Sequence, residues 1–126
     1  MSWQAYVDDH LVGTGKISRA AIIGLQGGVW AASPGFDLSI PEQQAIVRVF
    51  QDPSAAQASG VRLAGTKFFT VQVDDQKLYG KQGPNGCTLV KTTQAVVVAE
   101  YKAPVLAGEA NVVVEKLGDY LRSVNY

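Results

Sequence analysis

The chain contains one cysteine and one histidine, and only these two residues could together supply a thiol nucleophile and its base. Cys87 lies in a stretch with the pattern of a β-strand, where a free cysteine usually packs as a small apolar residue. His10 falls on a helical face that we expect to turn toward a sheet. No cluster of histidine and cysteine residues offers metal ligands. We therefore predict that the protein is not an enzyme and has no catalytic residues, no metal site and no cofactor.

Aromatic residues are the more informative candidates, because four of them fall near the two ends of the chain. Trp3 and Tyr6 are close together in the opening stretch, and Tyr120 and Tyr126 lie in the last stretch. Trp30 lies in the middle of a predicted strand. Taken singly, each such residue is more often part of a core or of ordinary surface than of a ligand site. The spacing alone leaves open whether the five rings converge.

A convergent cluster of flat rings would suit one class of ligand, the polyproline II helix. Grooves between the rings would accept pyrrolidine rings, and the ligand is already extended, so that binding costs little ordering entropy. Proline has no N–H, so this ligand presents only carbonyl acceptors. The indole N–H of tryptophan and the hydroxyl of tyrosine are donors on flat apolar bodies, and they match that requirement.

Two terminal helices would position four of these aromatic residues. Residues 2–12 show apolar residues with helical spacing, with Ser2 as the candidate N-cap and with Gly13 and Gly15 at the end. A second helix is predicted over residues 107–124. Its apolar stripe consists of Ala110, Val113, Val114, Leu117, Leu121 and Val124.

Between these helices the sequence predicts one antiparallel sheet. A hairpin over "KISRAAIIG" and "GVWAAS" is followed by a short helix capped by Ser39, by a loop over residues 51–60, and by four or five strands with short polar turns. The last strand, "QAVVVAEY", contains a continuous apolar run that we expect to be covered on both faces. We predict an α+β fold with one domain over residues 1–126. The terminal helices would lie on one face of the sheet and the short helix and loop segments on the other.

Composition and charge restrict the function classes. Eleven Lys and Arg residues balance eleven Asp and Glu residues, so no overall field favours nucleic acid. Residues 61–91 contain five Lys and Arg residues but only two Asp residues, which indicates a locally basic face. A lone cysteine excludes an internal disulfide and fits a reducing compartment, and no apolar run approaches the length of a membrane span. We therefore expect a cytoplasmic protein.

The opening "MSWQAYVDDHLVGTG" resembles the N-terminal signature of the profilin family, which has a W-x-x-Y pair followed by Gly-x-Gly. The similarity continues through "AAIIGLQGGVWAAS", "ASGVRLAGTKFF", "VDDQKLYGK" and "GEANVVVEKLGDYLRSVNY", in the style of amoeboid and fungal members. It implies a regulator of actin polymerisation. Such a regulator binds monomeric actin on one face and proline-rich segments of actin-assembly proteins, such as formins, on another, with phosphoinositide lipids as further candidate partners.

The resemblance also implies two sets of site residues. The polyproline-binding set would consist of Trp3, Tyr6, Trp30, Tyr120, Leu121 and Tyr126, with Leu121 in a supporting role. The actin-binding set would consist of Lys67, Lys81 and Lys91 on the sheet and Gly108, Asn111 and Lys116 on the C-terminal helix. Tyr120 stands where some members carry histidine, and it keeps a flat ring with a donor. Gln72 and Gln76 stand where relatives often carry arginine, which bears on actin and lipid binding rather than on the fold.

Two other interpretations remain open on the sequence alone. A related sheet-and-helix scaffold would bind other partners without binding actin, and would use its aromatic residues only as core. A thiol-dependent enzyme would use Cys87. Titration with a proline-rich peptide distinguishes the scaffold from an adaptor that binds actin and polyproline. Alkylation of Cys87 tests the thiol-dependent enzyme.

Overall fold

The computed structural model describes residues 2–126, with a helix at each end of the chain and two helices between the second and third of seven strands. Its helices are α1 (Trp3–Ala5), which continues as a π-helical turn over Tyr6–Leu11 and a 3₁₀ turn over Val12–Thr14, then α2 (Ile40–Val49), α3 (Pro53–Ser59) and α4 (Ala107–Ser123). Its strands are β1 (Arg19–Gly24), β2 (Val29–Ala32), β3 (Val61–Leu63), β4 (Thr66–Val73), β5 (Lys77–Gln82), β6 (Asn85–Lys91) and β7 (Ala95–Tyr101). We call the continuous stretch of residues 3–11 the N-terminal helix.

Within the described residues, the strands form one antiparallel sheet of seven in the order β2-β1-β7-β6-β5-β4-β3. The last strand, β7, therefore lies inside the sheet, between β1 and β6. The first hairpin forms one edge of the sheet, and it carries Trp30. This arrangement confirms the predicted α+β fold with a single antiparallel sheet.

Each face of the sheet is covered by its own apolar core. On one face the N-terminal helix and α4 contribute Val7, Leu11 and Leu117, which pack with residues of β1, β6 and β7. On the other face α2 and α3 contribute Ile46 and Ala56, which pack with residues of β3 to β7. The terminal helices therefore share one face and the short helices share the other, as predicted.

Strand β7 belongs to both cores. All seven of its residues are buried. Val96 and Val98 pack in the core beneath α2 and α3, whereas Val97 and Ala99 pack in the core beneath the N-terminal helix and α4. The apolar run is continuous because successive side chains enter opposite covered faces.

The expectation of a loop over residues 51–60 is wrong, because Pro53–Ser59 forms α3. The Asp52 carboxylate accepts a hydrogen bond from the Ala55 backbone N–H at 3.3 Å, and Pro53 occupies the first turn. Both features are ordinary signals for the start of a helix. The buried alanine of this helix adds the tertiary contact that so short a helix needs.

The expectation that His10 faces the sheet is also wrong, because its side chain is exposed. The N-terminal helix widens into a π-helical turn over Tyr6–Leu11, so its residues do not keep the 3.6-residue period. Val7 and Leu11 remain fully buried. The His10 ring lies outside them, with its centroid 5.6 Å from that of Tyr6.

Candidate functional site

Five aromatic rings meet where the two terminal helices approach the β1–β2 hairpin, and we call them the aromatic cluster. Its members are Trp3, Tyr6, Trp30, Tyr120 and Tyr126. The Trp3 ring lies at the centre, with its centroid 4.6 Å from that of Trp30 and 5.1 Å from that of Tyr126. It also lies 5.5 Å from Tyr6, and the Tyr6 ring lies 6.1 Å from Tyr120. The convergence that the sequence spacing left open is therefore present.

A glycine on the neighbouring strand lets Trp30 reach the cluster. A Cβ atom on Gly24 would lie 2.7 Å from Nε1 of Trp30 and 3.1 Å from its Cε2. Ordinary carbon contacts are about 3.5–4.0 Å, so a larger residue at this position would displace the indole. Gly24 therefore lets the Trp30 ring approach the backbone of β1 closely.

Hydrogen bonds hold both terminal segments in place. The Ser2 hydroxyl oxygen accepts a backbone N–H of the first turn at 3.1 Å, which confirms Ser2 as the N-cap. The Gln4 side-chain amide donates to a β2 carbonyl at 2.9 Å. At the other end, the Thr92 hydroxyl donates to the main-chain oxygen of Tyr126 at 2.7 Å. Chain ends usually fray, but these bonds give the aromatic rings fixed positions.

The aromatic cluster is a neutral, partly exposed surface with hydrogen-bond donors. Tyr120 and Tyr126 are 49% and 44% exposed, whereas Leu121 is fully buried in the core. A side-chain hydrogen bond with Tyr120, together with burial, raises the pKa of Tyr6, so its hydroxyl remains protonated at neutral pH. The cluster thus offers flat apolar rings with O–H and N–H donors, and its five side chains carry no formal charge.

A second surface lies on the sheet beyond the edge of α4, and we call it the sheet face. Helix α4 packs over β6 and β7 and leaves the same face of β4 open, where Phe69 and Val71 are 67% and 60% exposed. The Lys67 ammonium lies 5.6 Å from the centroid of the Phe69 ring, and Lys81 pairs with Phe69 across the strands. The sheet face comprises Lys67, Phe69, Val71, Gln72, Tyr79 and Lys81.

Polar contacts fix the first half of α4 beside the sheet face. The Glu115 carboxylate accepts hydrogen bonds from the Lys77 ammonium at 3.1 Å and from the Tyr79 hydroxyl. The Thr88 hydroxyl donates to the side-chain oxygen of Asn111 at 2.5 Å. Hydrogen bonding to Glu115 raises the pKa of Lys77, and burial with the same carboxylate raises the pKa of Tyr79. Both groups therefore remain protonated donors at neutral pH.

The family model for profilin matches residues 1–126. The chain belongs to the profilin family. Profilin-A of Physarum polycephalum is 48% identical over 126 residues, with the whole of both chains covered. The solved structure of Acanthamoeba castellanii profilin II is 44% identical, with 99% of this chain and 100% of that chain covered and a TM-score of 0.95. Mouse profilin IIa, solved in complex with a double repeat from the FH1 domain of mDia1, is 25% identical, with both chains fully covered and a TM-score of 0.81.

Most residues that the profilin resemblance implied come together in this structure. The polyproline set forms the aromatic cluster, apart from Leu121, which lies in the core. In the actin set, Lys67 and Lys81 lie on the sheet face. Asn111 lies on the first half of α4, bonded to β6, and Gly108 is exposed in the first turn of that helix.

Two lysines of the implied actin set lie apart from the others. Lys91 follows Val90 on β6, and Val90 packs against Gly118 of α4, so strand alternation directs Lys91 to the opposite face. Lys116 lines a groove between α4 and the N-terminal helix, where Tyr120 is its neighbour. The structure therefore does not bring these two lysines to the sheet face.

Four residues that lie beside the implied actin-binding set were not predicted from the sequence: Phe69, Val71, Tyr79 and Glu115. A signal was present in "TKFFTVQV", which carries apolar residues on both faces of one strand. The buried Phe68 accounts for one face. An apolar opposite face without a covering helix indicates a surface for a partner.

The thiol and imidazole that the sequence left open as a reactive pair lie on opposite sides of the sheet. Cys87 packs in the core beneath α2 and α3, and burial raises the pKa of its thiol, whereas His10 is exposed beside Tyr6. Residues 2–126 contain no group of three or more His, Cys, Asp or Glu side chains placed to hold a metal ion. No helix in the described part of the chain is long and apolar enough to cross a membrane.

Proposed function

We propose that this profilin is an adaptor that regulates actin polymerisation in the cytoplasm. Its aromatic cluster would bind proline-rich segments of actin-assembly proteins. Its sheet face and the first half of α4 would bind monomeric actin. The observation that carries this proposal is the convergence of five uncharged, partly exposed rings at one edge of the molecule. Exposed apolar patches of this kind mark binding sites.

The spacing of the rings suits a polyproline II ligand. Neighbouring centroids along the cluster are 4.6 to 6.1 Å apart, and two residues of a polyproline II helix advance about 6 Å. Prolines of the ligand would pack on the exposed surfaces of successive rings, while indole N–H and tyrosine O–H groups donate to ligand carbonyls. The mouse profilin IIa complex with an FH1 repeat, a formin segment, supports proline-rich partners of this chemistry.

The sheet face suits a protein partner. Lys67 and Lys81 flank Phe69, and Val71 extends the exposed apolar surface along β4. Apolar side chains bordered by charged ones are the usual anatomy of a protein interface. Asn111 and Gly108 border this surface on α4. Membership of the profilin family supports monomeric actin as the partner. The two surfaces lie toward opposite ends of α4, so both partners would bind at once.

Phosphoinositide lipids would be weaker partners of the same sheet face. Lys67 and Lys81 are available there, but Lys77 is already paired with Glu115. Segments that recognise anionic lipids commonly hold about four to eight basic residues. Gln72 adds no charge beside these lysines, which further favours weak lipid binding.

Tryptophan emission during titration with a decaproline peptide tests the first half of this proposal. Both tryptophans belong to the cluster, so we expect a marked change in emission, and an unchanged signal would contradict the polyproline function.

Actin polymerisation with and without the protein tests the second half of the proposal. Phe69→Ala should weaken the effect on actin and leave the peptide titration unchanged. Actin that polymerises identically in both cases would favour the alternative of a profilin scaffold that binds other partners.

A further inference from the structure

We infer that the groove beside the aromatic cluster selects proline-rich ligands that carry an acidic residue within about three residues of one end of their proline run. The inference rests on the proposed polyproline function and adds to it the chemistry of the flanking residue. The groove has a volume of about 640 Å³ and runs between the N-terminal helix and α4. Beyond Tyr6 and Tyr120, it is lined by His10, Thr14, Val113, Lys116 and Leu117.

The groove begins where the aromatic cluster ends. Tyr6 and Tyr120, whose centroids are 6.1 Å apart, belong to both. The His10 ring lies 5.6 Å beyond Tyr6, and Lys116 precedes Tyr120 by one turn of α4, about 6 Å along the helix axis. A polyproline II segment advances about 3.1 Å per residue. A ligand that passes over the two tyrosines therefore reaches His10 and Lys116 within about two further residues.

Lys116 is the one lysine or arginine among the described residues that line this groove, and no aspartate or glutamate is among them. Val113 and Leu117 supply apolar lining, and among residues 2–126 no carboxylate lies within 4.0 Å of the Lys116 ammonium. Two acidic residues of α4 lie near this helix face, but each has its own cation. Glu109 pairs with Lys16 at 2.6 Å, and Asp119 pairs with Arg122 at 3.1 Å. Asp8 and Asp9 of the N-terminal helix lie outside the lining, so Lys116 is the charged group that a ligand in the groove would contact.

A carboxylate of the ligand is the occupant that this lining fits. A glutamate or aspartate one to three residues beyond the last stacked proline would pair with Lys116 and accept a hydrogen bond from the His10 imidazole. Its methylene groups would pack on Val113 and Leu117. A basic residue at the same place would face a like charge, so the groove would discriminate between ligands by charge. The pair is partly exposed to solvent, so we expect a preference of about two- to five-fold in Kd.

Titration of the full chain with three synthetic peptides tests this inference. Each peptide carries a decaproline run followed by Ala-Glu-Glu, Ala-Gln-Gln or Ala-Lys-Lys, and a second series carries the same flanks before the run, so that both ligand directions are covered. In one of the two series, the acidic peptide should bind about two- to five-fold more tightly than the amide peptide, and the basic peptide should bind most weakly. The preference should disappear at about 0.5 M salt, because exposed ion pairs are screened.

Two lysine variants locate the preference. Lys116→Gln should abolish the difference between the acidic and amide peptides. Lys102→Gln makes the same charge change at an exposed lysine outside the groove, and it should retain the difference. Equal affinities for all flanks, with the decaproline run still bound, would overturn the inference and leave the proposed polyproline function intact. A preference lost equally in both variants would trace it to net charge and would also overturn the inference. Failure of every peptide to bind would overturn both proposals.

Discussion

The two halves of α4 hold their surfaces by different interactions. The C-terminal half contributes Tyr120 to a cluster of uncharged rings with centroids 4.6 to 6.1 Å apart. The N-terminal half is fixed by charged contacts, with Lys16 bonded to Glu109 at 2.6 Å and Lys77 bonded to Glu115 at 3.1 Å. One helix therefore joins a surface of uncharged rings to a surface in which exposed apolar side chains lie beside charged groups.

This difference teaches what each surface should tolerate. Stacked rings depend on shape and on neutral hydrogen bonds, which ionic strength changes little, whereas exposed ion pairs are screened by salt. A substitution that changes shape at the aromatic cluster should therefore leave the sheet face intact. A substitution that adds charge at the sheet face should leave the aromatic cluster intact.

Removal of the Trp3 ring should give the largest difference between the effects on peptide binding and on actin. Trp3 contacts three other rings of the cluster, and truncation of such an anchor costs about 2 kcal/mol or more of binding free energy, or roughly thirty-fold in Kd. We expect Trp3→Ala to lose decaproline binding by calorimetry and to keep its effect on actin. Wild-type peptide affinity in this variant, or a parallel loss of the actin effect in a folded protein, would contradict the comparison.

Positive charge added to the sheet face should strengthen lipid binding without changing peptide binding. Gln72 lies on the sheet face opposite Tyr79 and Gln76 lies in the adjoining turn, and each basic group near an anionic membrane is worth about 1 kcal/mol. We expect Gln72→Arg with Gln76→Arg to strengthen cosedimentation with phosphoinositide vesicles by about tenfold or more, with unchanged peptide affinity.

The matched control for this double variant is Gln44→Arg with Gln51→Arg. Both of these glutamines are exposed on the side of the molecule that carries α2, so the net charge rises equally without a change to the sheet face. An equal gain of lipid binding in the control would show that net charge, rather than the sheet face, drives the effect. A shift in peptide affinity would show that the two surfaces are coupled.

A methyl group added at Gly24 changes shape without changing charge, and it should reduce peptide affinity less than the loss of the Trp3 ring. A Cβ atom on Gly24 would lie 2.7 Å from the Trp30 indole nitrogen, and overpacking of this kind costs about 1–3 kcal/mol. We expect Gly24→Ala to weaken decaproline binding by roughly three- to ten-fold without affecting actin. Gly108→Ala is the control, because a Cβ atom on Gly108 would meet nothing within 4 Å. If both variants lose peptide affinity equally, displacement of the Trp30 ring is not the cause.

The smallest effect on binding is expected from a substitution in α2, which covers the opposite face of the sheet. Burial favours the neutral acid at Glu42, but backbone N–H groups of Gly65 and Ser39 donate to the carboxylate and hold its pKa below the ordinary value of 4.5. The folded pKa is the lower one, so this stabilisation is present above pH 4.5 and is lost as the pH falls through the folded pKa. We expect Glu42→Gln to lower the free energy of unfolding by about 1 kcal/mol at neutral pH.

Urea unfolding of both proteins at about pH 7 and about pH 3 checks this expectation, because the difference between them should shrink at the lower pH. Peptide and actin binding should both stay unchanged at neutral pH. A loss of actin binding alone would mean that the turn before β4, which Glu42 holds through Gly65, also shapes the sheet face.

The local elements were largely predictable, whereas the placement of side chains around α4 was not. Helical spacing and apolar alternation predicted both terminal helices and the antiparallel sheet, because each leaves a periodic signal. The position of Trp30 beside Trp3 depends on the N-terminal helix packing against β2, a contact between separate elements that no local pattern encodes. For the same reason the sequence did not reveal that Lys116 faces the N-terminal helix or that Lys91 points away from the sheet face.

Strand β7 makes the two faces of the molecule a single cooperative unit. Its successive residues alternate between the two cores, so an opening that released either pair of helices would expose alternate side chains of the same strand. We therefore expect its amide hydrogens to be among the slowest to exchange with solvent. A partner bound to the aromatic cluster and one bound to the sheet face would both lower the population of that opening. The exchange rate of these few amides would then report on either partner, although β7 touches neither.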